Sequence, residues 1–225
     1  MKIAIDGPSG AGKSSVAKLL SAKLGFIYVD TGALYRTVGL YVRDHGIDPK
    51  DAEAVGAVLP EITVEIRYEN GVQQVYLNGT CVGEKIRENE ISMYASAVSA
   101  IPAVRAFLLD TQRSIANSNN VIMDGRDIGT VILPDAEVKI FLCASNEARA
   151  KRRYKELVEK GQNVNYDDIL SDIITRDNND RNRAIAPAVP ADDAVILDNS
   201  ELDLVGTLSR MIDIINDKTG GNYGK

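Results

Sequence analysis

Near its N-terminus the chain reads Lys2-Ile3-Ala4-Ile5-Asp6-Gly7-Pro8-Ser9-Gly10-Ala11-Gly12-Lys13-Ser14-Ser15. Residues 2–6 are a short apolar run that predicts a strand. Val16, Leu19, Leu20 and Leu24 then recur at helical spacing over Lys13–Leu24, with Gly25 as the stop. The loop between them, residues 7–14, fits G-x-x-x-x-G-K-[ST], and this motif has a mechanism only in a strand–loop–helix context. Its glycines let backbone N–H groups curl around phosphate oxygens, and the helix start adds a positive dipole. Lys13 is expected to reach the β- and γ-phosphates, and the Ser14 hydroxyl to ligate Mg²⁺. Gly7, Pro8, Ser9, Gly10, Ala11, Gly12, Lys13, Ser14 and Ser15 therefore form a candidate nucleoside-triphosphate site.

Outward from this loop the pattern alternates. A second strand is expected over Phe26–Asp30, then a helix with Thr31 as N-cap, Leu34, Val38, Tyr41 and Val42 inside, and Gly46 as stop. Further strands are expected over Val121–Asp124, Glu137–Cys143 and Ala194–Asp198. Further helices are expected over Pro102–Asn117, Glu147–Lys160, Tyr166–Arg176 and Glu201–Asn216. Such alternation implies an α/β fold with a parallel sheet covered on both faces. One stretch breaks the rhythm. Ile62, Val64, Ile66 and Tyr68 alternate with polar residues, Asn70-Gly71 reads as a turn, and Val72–Leu77 leads to Asn78-Gly79. That is an antiparallel meander, set as an insert over 60–98 in a single domain spanning 1–225. The tail Thr219–Lys225 is expected to fray.

Composition narrows the function. Twenty-six basic against 32 acidic residues give a net charge of −6, which disfavours a general nucleic-acid binder. No apolar stretch has the length of a membrane span, and the N-terminus lacks signal-peptide character, so a cytoplasmic chain is expected. Cys81 and Cys143 have neither zinc nor redox spacing and are expected to be buried as small hydrophobes. Charge is uneven, however. Residues 149–183 hold nine basic and seven acidic side chains, a balance of +2 that leaves −8 on the rest. This segment is either an anion site or a solvated helix face.

A triphosphate site leaves its use open. The chain has no guanine-reading N-K-x-D, which argues against a switch GTPase. An ATPase would attack with water, whereas a small-molecule kinase needs a second anion site. Asp30-Thr31-Gly32-Ala33-Leu34-Tyr35-Arg36 ends the second predicted strand, where open α/β sheets bind ligands. Arg36 there can fork onto a phosphate, while Thr31 either caps its helix or faces a ligand. Asp124-Gly125-Arg126-Asp127 ends another strand, and Asp124 is placed to hold water on Mg²⁺. Arg176-Asp177-Asn178-Asn179-Asp180-Arg181-Asn182-Arg183 closes a helix ahead of Pro187 and Pro190. With Arg149, Arg152 and Arg153 it reads as a lid of cationic fingers over 149–183. His45, the only histidine, sits at a helix end and reads as structural. A phosphate monoester, mostly dianionic at pH 7, needs no histidine base to attack.

These segments together resemble the bacterial cytidylate (CMP) kinases of the nucleoside-monophosphate kinase group. IDGPSGAGKSS, DTGALYR, DGRDIGTV, VKIFLCAS and RDNNDRNRAIAPAVP carry the resemblance, which runs through essentially the whole chain. It implies a P-loop kinase core with a five-stranded parallel sheet, a monophosphate-binding region containing the antiparallel insert, and a short mobile lid. It implies action on small molecules, with ATP as donor, Mg²⁺ as cofactor and CMP and dCMP as acceptors; composition points to no nucleic-acid or membrane partner, and nothing in the sequence demands more than a monomer. By the family pattern Thr31, Tyr35, Arg36, Arg126 and Arg183 would grip the CMP phosphate. Ser96, Arg105 and Asp127 would read the cytosine, and Arg176 and Asp180 would hold the ribose. Lys13, Arg126, Arg153 and Arg183 are the expected catalytic cations, with Ser14 and Asp124 at the metal. The family usually has serine where Thr31 stands, and the hydroxyl is kept.

Overall fold

A computed structural model describes residues 1–69 and 72–223. The expected Asn70-Gly71 turn lies outside the described residues, as do Gly224 and Lys225. Five strands form one sheet: β1 (Lys2–Asp6), β2 (Ile27–Asp30), β6 (Val121–Asp124), β7 (Val138–Cys143) and β8 (Val195–Asp198), in the order β2-β6-β1-β7-β8. β1 pairs in parallel with β6, Ile5 opposite Asp124, and with β7, Asp6 opposite Phe141. A parallel strand covered on both faces must be apolar throughout, and Ile3, Ala4 and Ile5 are fully buried. The chain winds from β1 to one side, then returns to fill the other. The carboxyl end of β1 is thus the point where the winding direction switches, and such points hold ligands in open α/β sheets.

The chain divides into two compact units, Met1–Phe26 with Asn120–Lys225, and Ile27–Asn119. The first holds α1 (Lys13–Leu24), which Gly25 ends in a left-handed conformation as expected. It also holds α6 (Asn146–Glu159), α7 (Tyr166–Asn182) and α8 (Leu204–Thr219). α7 runs six residues past its expected end at Arg176. Its apolar periodicity stops near Ile174, but ion pairs from Asp177 and Asp180 hold the polar turns in place. The C-terminal tail also departs from expectation as far as it is described. Gly220 caps α8, and the Tyr223 backbone N–H donates to Asn216 Oδ1 at 2.7 Å.

The second unit contains α2 (Thr31–Asp44), α3 (Ala52–Val58), α4 (Asn89–Val98) and α5 (Pro102–Ser118). It also contains the antiparallel sheet β3 (Val64–Glu69), β4 (Val72–Leu77) and β5 (Thr80–Cys81). Its core joins Leu34, Val38 and Val42 of α2 to Val75, Ile91, Val98 and Leu108. α2 and α4 approach so closely that a Cβ on Gly39 would lie 3.0 Å from the Ala95 backbone nitrogen. Asp30, not Thr31, caps α2: its Oδ1 accepts from the Ala33 N–H at 3.0 Å, and Thr31 is the first helical residue. A carboxylate one residue earlier reaches the free N–H groups of the first turn equally well. The cysteines are also not core residues. Cys81 is exposed on the short edge strand β5, and Cys143 is half-buried at the end of β7. Edge position overrides side-chain hydrophobicity at Cys81, whereas Cys143 closes an interior strand at its carboxyl end.

Candidate active site

Gly7 leaves β1 at φ 143°, and a Cβ there would meet the Leu142 carbonyl oxygen at 1.9 Å, so no larger residue fits. Gly12, at φ 90°, turns the loop into α1. Lys13 is buried under the loop, its Nζ donating to the Pro8 carbonyl at 2.8 Å. Burial, then the positive charge of Arg126, pushes its pKa down to about 7, against the pull of Asp124 and Asp6. A bound polyphosphate would supply the counter-charge this ammonium lacks. Ser14 Oγ donates to Asp124 Oδ2 at 2.8 Å, which joins a hydroxyl and a carboxylate oxygen beside the loop. Ser15 is exposed on the first turn of α1.

Residues that the motif does not name hold this loop from outside. Arg149 is 2 % exposed and donates to the Ser9 carbonyl at 2.7 Å and the Ala144 carbonyl at 3.1 Å, while it pairs with Asp177 of α7. Asn199, just past β8, donates from Nδ2 to the Ala11 carbonyl at 3.0 Å and is itself held by Arg152 at 3.2 Å. Asp6 accepts the backbone N–H groups of Ile128 and Gly129 at 2.8 and 2.7 Å. Asp6 and Asn199 were not among the expected site residues, whereas Arg149 and Arg152 were expected as fingers of a lid and are found bracing the loop and Asn199. Asp6, Asn199 and the loop all sit at strand carboxyl ends, and that rule alone would have found the first two.

In the same unit, Arg126 Nε donates to Asp180 Oδ2 at 2.8 Å, and Arg183 donates to Asp127 Oδ1 at 3.2 Å. Burial would raise the Asp180 pKa, but Arg126, Arg176 and Arg183 together pull it below the ordinary aspartate value. Arg176 also adds its field to Lys13. The structure thus gathers Lys13, Ser14, Asp124, Arg126, Asp127, Arg176, Asp180 and Arg183 in one unit. Arg153 does not join them. It is more than a third exposed and pairs with Glu156 on its own helix at 3.0 Å, so Arg149 and not Arg153 touches the loop. The remaining expected residues lie in Ile27–Asn119. Thr31 is buried at the head of α2, and Arg36 pairs with Asp30 at 2.8 Å. Arg105 lies over the Tyr35 ring at 5.6 Å and donates to the Ser99 carbonyl at 3.2 Å. The Ser96 carbonyl accepts from Ser99 Oγ one turn away.

A family model described as Cytidylate kinase matches residues 3–217. The chain belongs to the cytidylate kinase family. It is 48% identical over 214 residues to a cytidylate kinase of Caldicellulosiruptor bescii, a match that covers 95% of each chain. It is 46% identical to one of Fervidobacterium nodosum, covering 96% of this chain and 97% of the relative. A solved structure of an uncharacterized protein from Eubacterium ventriosum aligns with TM-score 0.51 at 13% identity, covering 96% of this chain and 98% of that one, and shares the fold.

Proposed function

We propose that this chain transfers the γ-phosphate of ATP to CMP, and to dCMP, releasing ADP and CDP or dCDP. The observation that carries the reading is family membership across 3–217, joined to a chain that keeps both the phosphate cradle and the paired arginines. Gly7–Ser15 would bind the donor. Thr31, Tyr35, Arg36, Arg126 and Arg183 would hold the acceptor phosphate, Ser96, Arg105 and Asp127 its base, and Arg176 and Asp180 its ribose. Residues 60–98 would serve as the monophosphate-binding insert and 149–183 as the lid of a cytoplasmic monomer.

In the reaction an oxygen of the CMP phosphate bonds to the γ-phosphorus, and the bond from that phosphorus to the β–γ bridging oxygen breaks. The dianionic acceptor needs no general base. His45 is occupied at the end of α2, stacked on Tyr41 at 3.8 Å with Nδ1 2.8 Å from the Tyr41 carbonyl. Lys13 would follow the charge that builds on the bridging oxygen. Arg126 and Arg183, aimed by Asp180 and Asp127, would offset repulsion between the two anions. Ser14 and Asp124 fit a Mg²⁺ ion, a hard cation that takes one or two protein oxygens and otherwise water and phosphate. Among the described residues no group of three or more His, Cys, Asp and Glu could hold a metal, so a protein-only cage is not the alternative. When bound, the ion would neutralise phosphate charge.

The test is ADP release with CMP, dCMP, UMP, AMP, GMP and shikimate as acceptors. CMP and dCMP should stimulate turnover far above the rate with ATP alone. A rate indifferent to every acceptor would leave a hydrolase and overturn the reading.

A further inference from the structure

Asp6 takes no part in the reaction described above, yet its carboxylate is buried one residue ahead of the phosphate loop. Both of its oxygens are used, by the backbone N–H groups of Ile128 and Gly129. These residues open a π-helical turn, Ile128–Ile132, which follows directly on Arg126 and Asp127. Leading N–H groups of a helical turn have no partner inside it. The Asp127 side chain does not cap the turn, and Asp6 supplies the acceptors from another strand. The fit is close: a Cβ on Gly129 would lie 3.4 Å from Asp6 Oδ2 and 3.1 Å from Lys139 Cδ. The Gly125 N–H donates to the Ile5 carbonyl at 3.0 Å, so β1 grips Gly125-Arg126-Asp127-Ile128 on both sides.

We propose that Asp6 is a positioning residue that fixes Arg126 and Asp127 in register with the phosphate loop. One carboxylate thereby aligns the segment that grips the acceptor with the segment that cradles the donor. Stability does not explain its presence, because burial works against the ionised carboxyl. The kinetic readout rests on the proposed CMP kinase reading; the exchange readout does not.

Two variants approach the contact from opposite sides. Asp6→Asn keeps the shape but turns an amide N–H toward one of the two backbone donors, and Gly129→Ala crowds the contact from the turn. Amide hydrogen exchange on the ligand-free chain should accelerate by at least about tenfold within residues 126–132 in Asp6→Asn and leave α8 unchanged. In both variants the KM for CMP should rise by about tenfold or more, while the KM for ATP stays within about threefold. Unchanged exchange at 126–132, uniform acceleration across the chain, or equal rises in both KM values would each overturn the assignment. If the wild type does not use CMP, the functional reading fails and the exchange result still decides the role of Asp6.

Discussion

Lys13 and Asp6 are buried ionisable groups of one unit, and burial acts on them in opposite senses. Lys13 is pushed down to about 7 and Asp6 up to about 6, so the ligand-free fold disfavours both charges. Nearby phosphate charge would raise the Lys13 pKa again, which makes Lys13 valuable where negative charge develops. Lys13→Ala should lower kcat by about 10²–10³, the scale of removing one preorganised donor. Wild-type turnover in steady-state assays would show that the loop is not the cradle. Asp6 carries a separate pH signature. Its folded pKa lies above the usual 3.8, so its contribution to stability is present below about pH 4 and lost as pH rises through 6, by up to about 3 kcal/mol. Asp6→Asn lacks this slope. Its melting temperature relative to wild type should therefore climb between pH 4.5 and 7.5, and a flat difference would refute the buried carboxyl. The motif announces Lys13 in the sequence. No motif announces Asp6, because a single acid closing an apolar strand has no spacing to read and only its place at the strand's carboxyl end marks it.

The elements divide along the same line. Helical periodicity located α1 and α5, and short apolar runs located the five strands of the main sheet, to within a residue or two. α3, seven residues long, and α4, inside the stretch read as a hairpin insert, went unread because neither is long enough to impose its period on a mixed segment. α7 shows the opposite failure, a helix that continues on ion pairs after its apolar stripe has ended. This changes what Asp180 must do. From sequence alone its pairing could pass for a surface contact worth little, but Asp180 is 6 % exposed and bonded to Arg126. Asp180→Ala should cost somewhat less than the roughly 3–5 kcal/mol of breaking a fully buried pair, since the Arg126 side chain keeps 19% exposure to water. Urea denaturation reads this directly, and an unchanged midpoint would mean the pair is solvated. Arg149 and Arg153, one turn apart on α6, were both read as lid fingers and only Arg153 as catalytic, yet Arg149 is sealed against the loop and Arg153 pairs along its own helix.

Across the whole molecule, a chain of net charge −6 is proposed to bind two anions, so its overall field opposes its substrates. Local charge must overcome this, and it is concentrated in the first unit around Lys13, Arg126, Arg149, Arg176 and Arg183. Every proposed donor contact, Gly7–Ser15 and Asp124, belongs to that unit, whereas Thr31, Tyr35, Arg36, Ser96 and Arg105 belong to Ile27–Asn119. The division was not legible in the sequence, because it follows tertiary contacts and no change in composition marks it at Phe26 or Asn120. It predicts distinct footprints for the two ligands. A non-hydrolysable ATP analogue with Mg²⁺, at about 100 times its Kd, adds about 2.7 kcal/mol to the state that binds it. That stabilisation should slow amide exchange in 7–15 and around Asp124 while 31–36 and 96–105 keep their ligand-free rates. CMP alone should slow exchange in 31–36, 96–105 and 126–127, and leave 7–15 nearly unchanged. Exchange mass spectrometry on the full chain separates these peptides. If the ATP analogue protected 96–105 as strongly as the loop, the assignment of 7–15 to the donor and of 96–105 to the acceptor would be wrong.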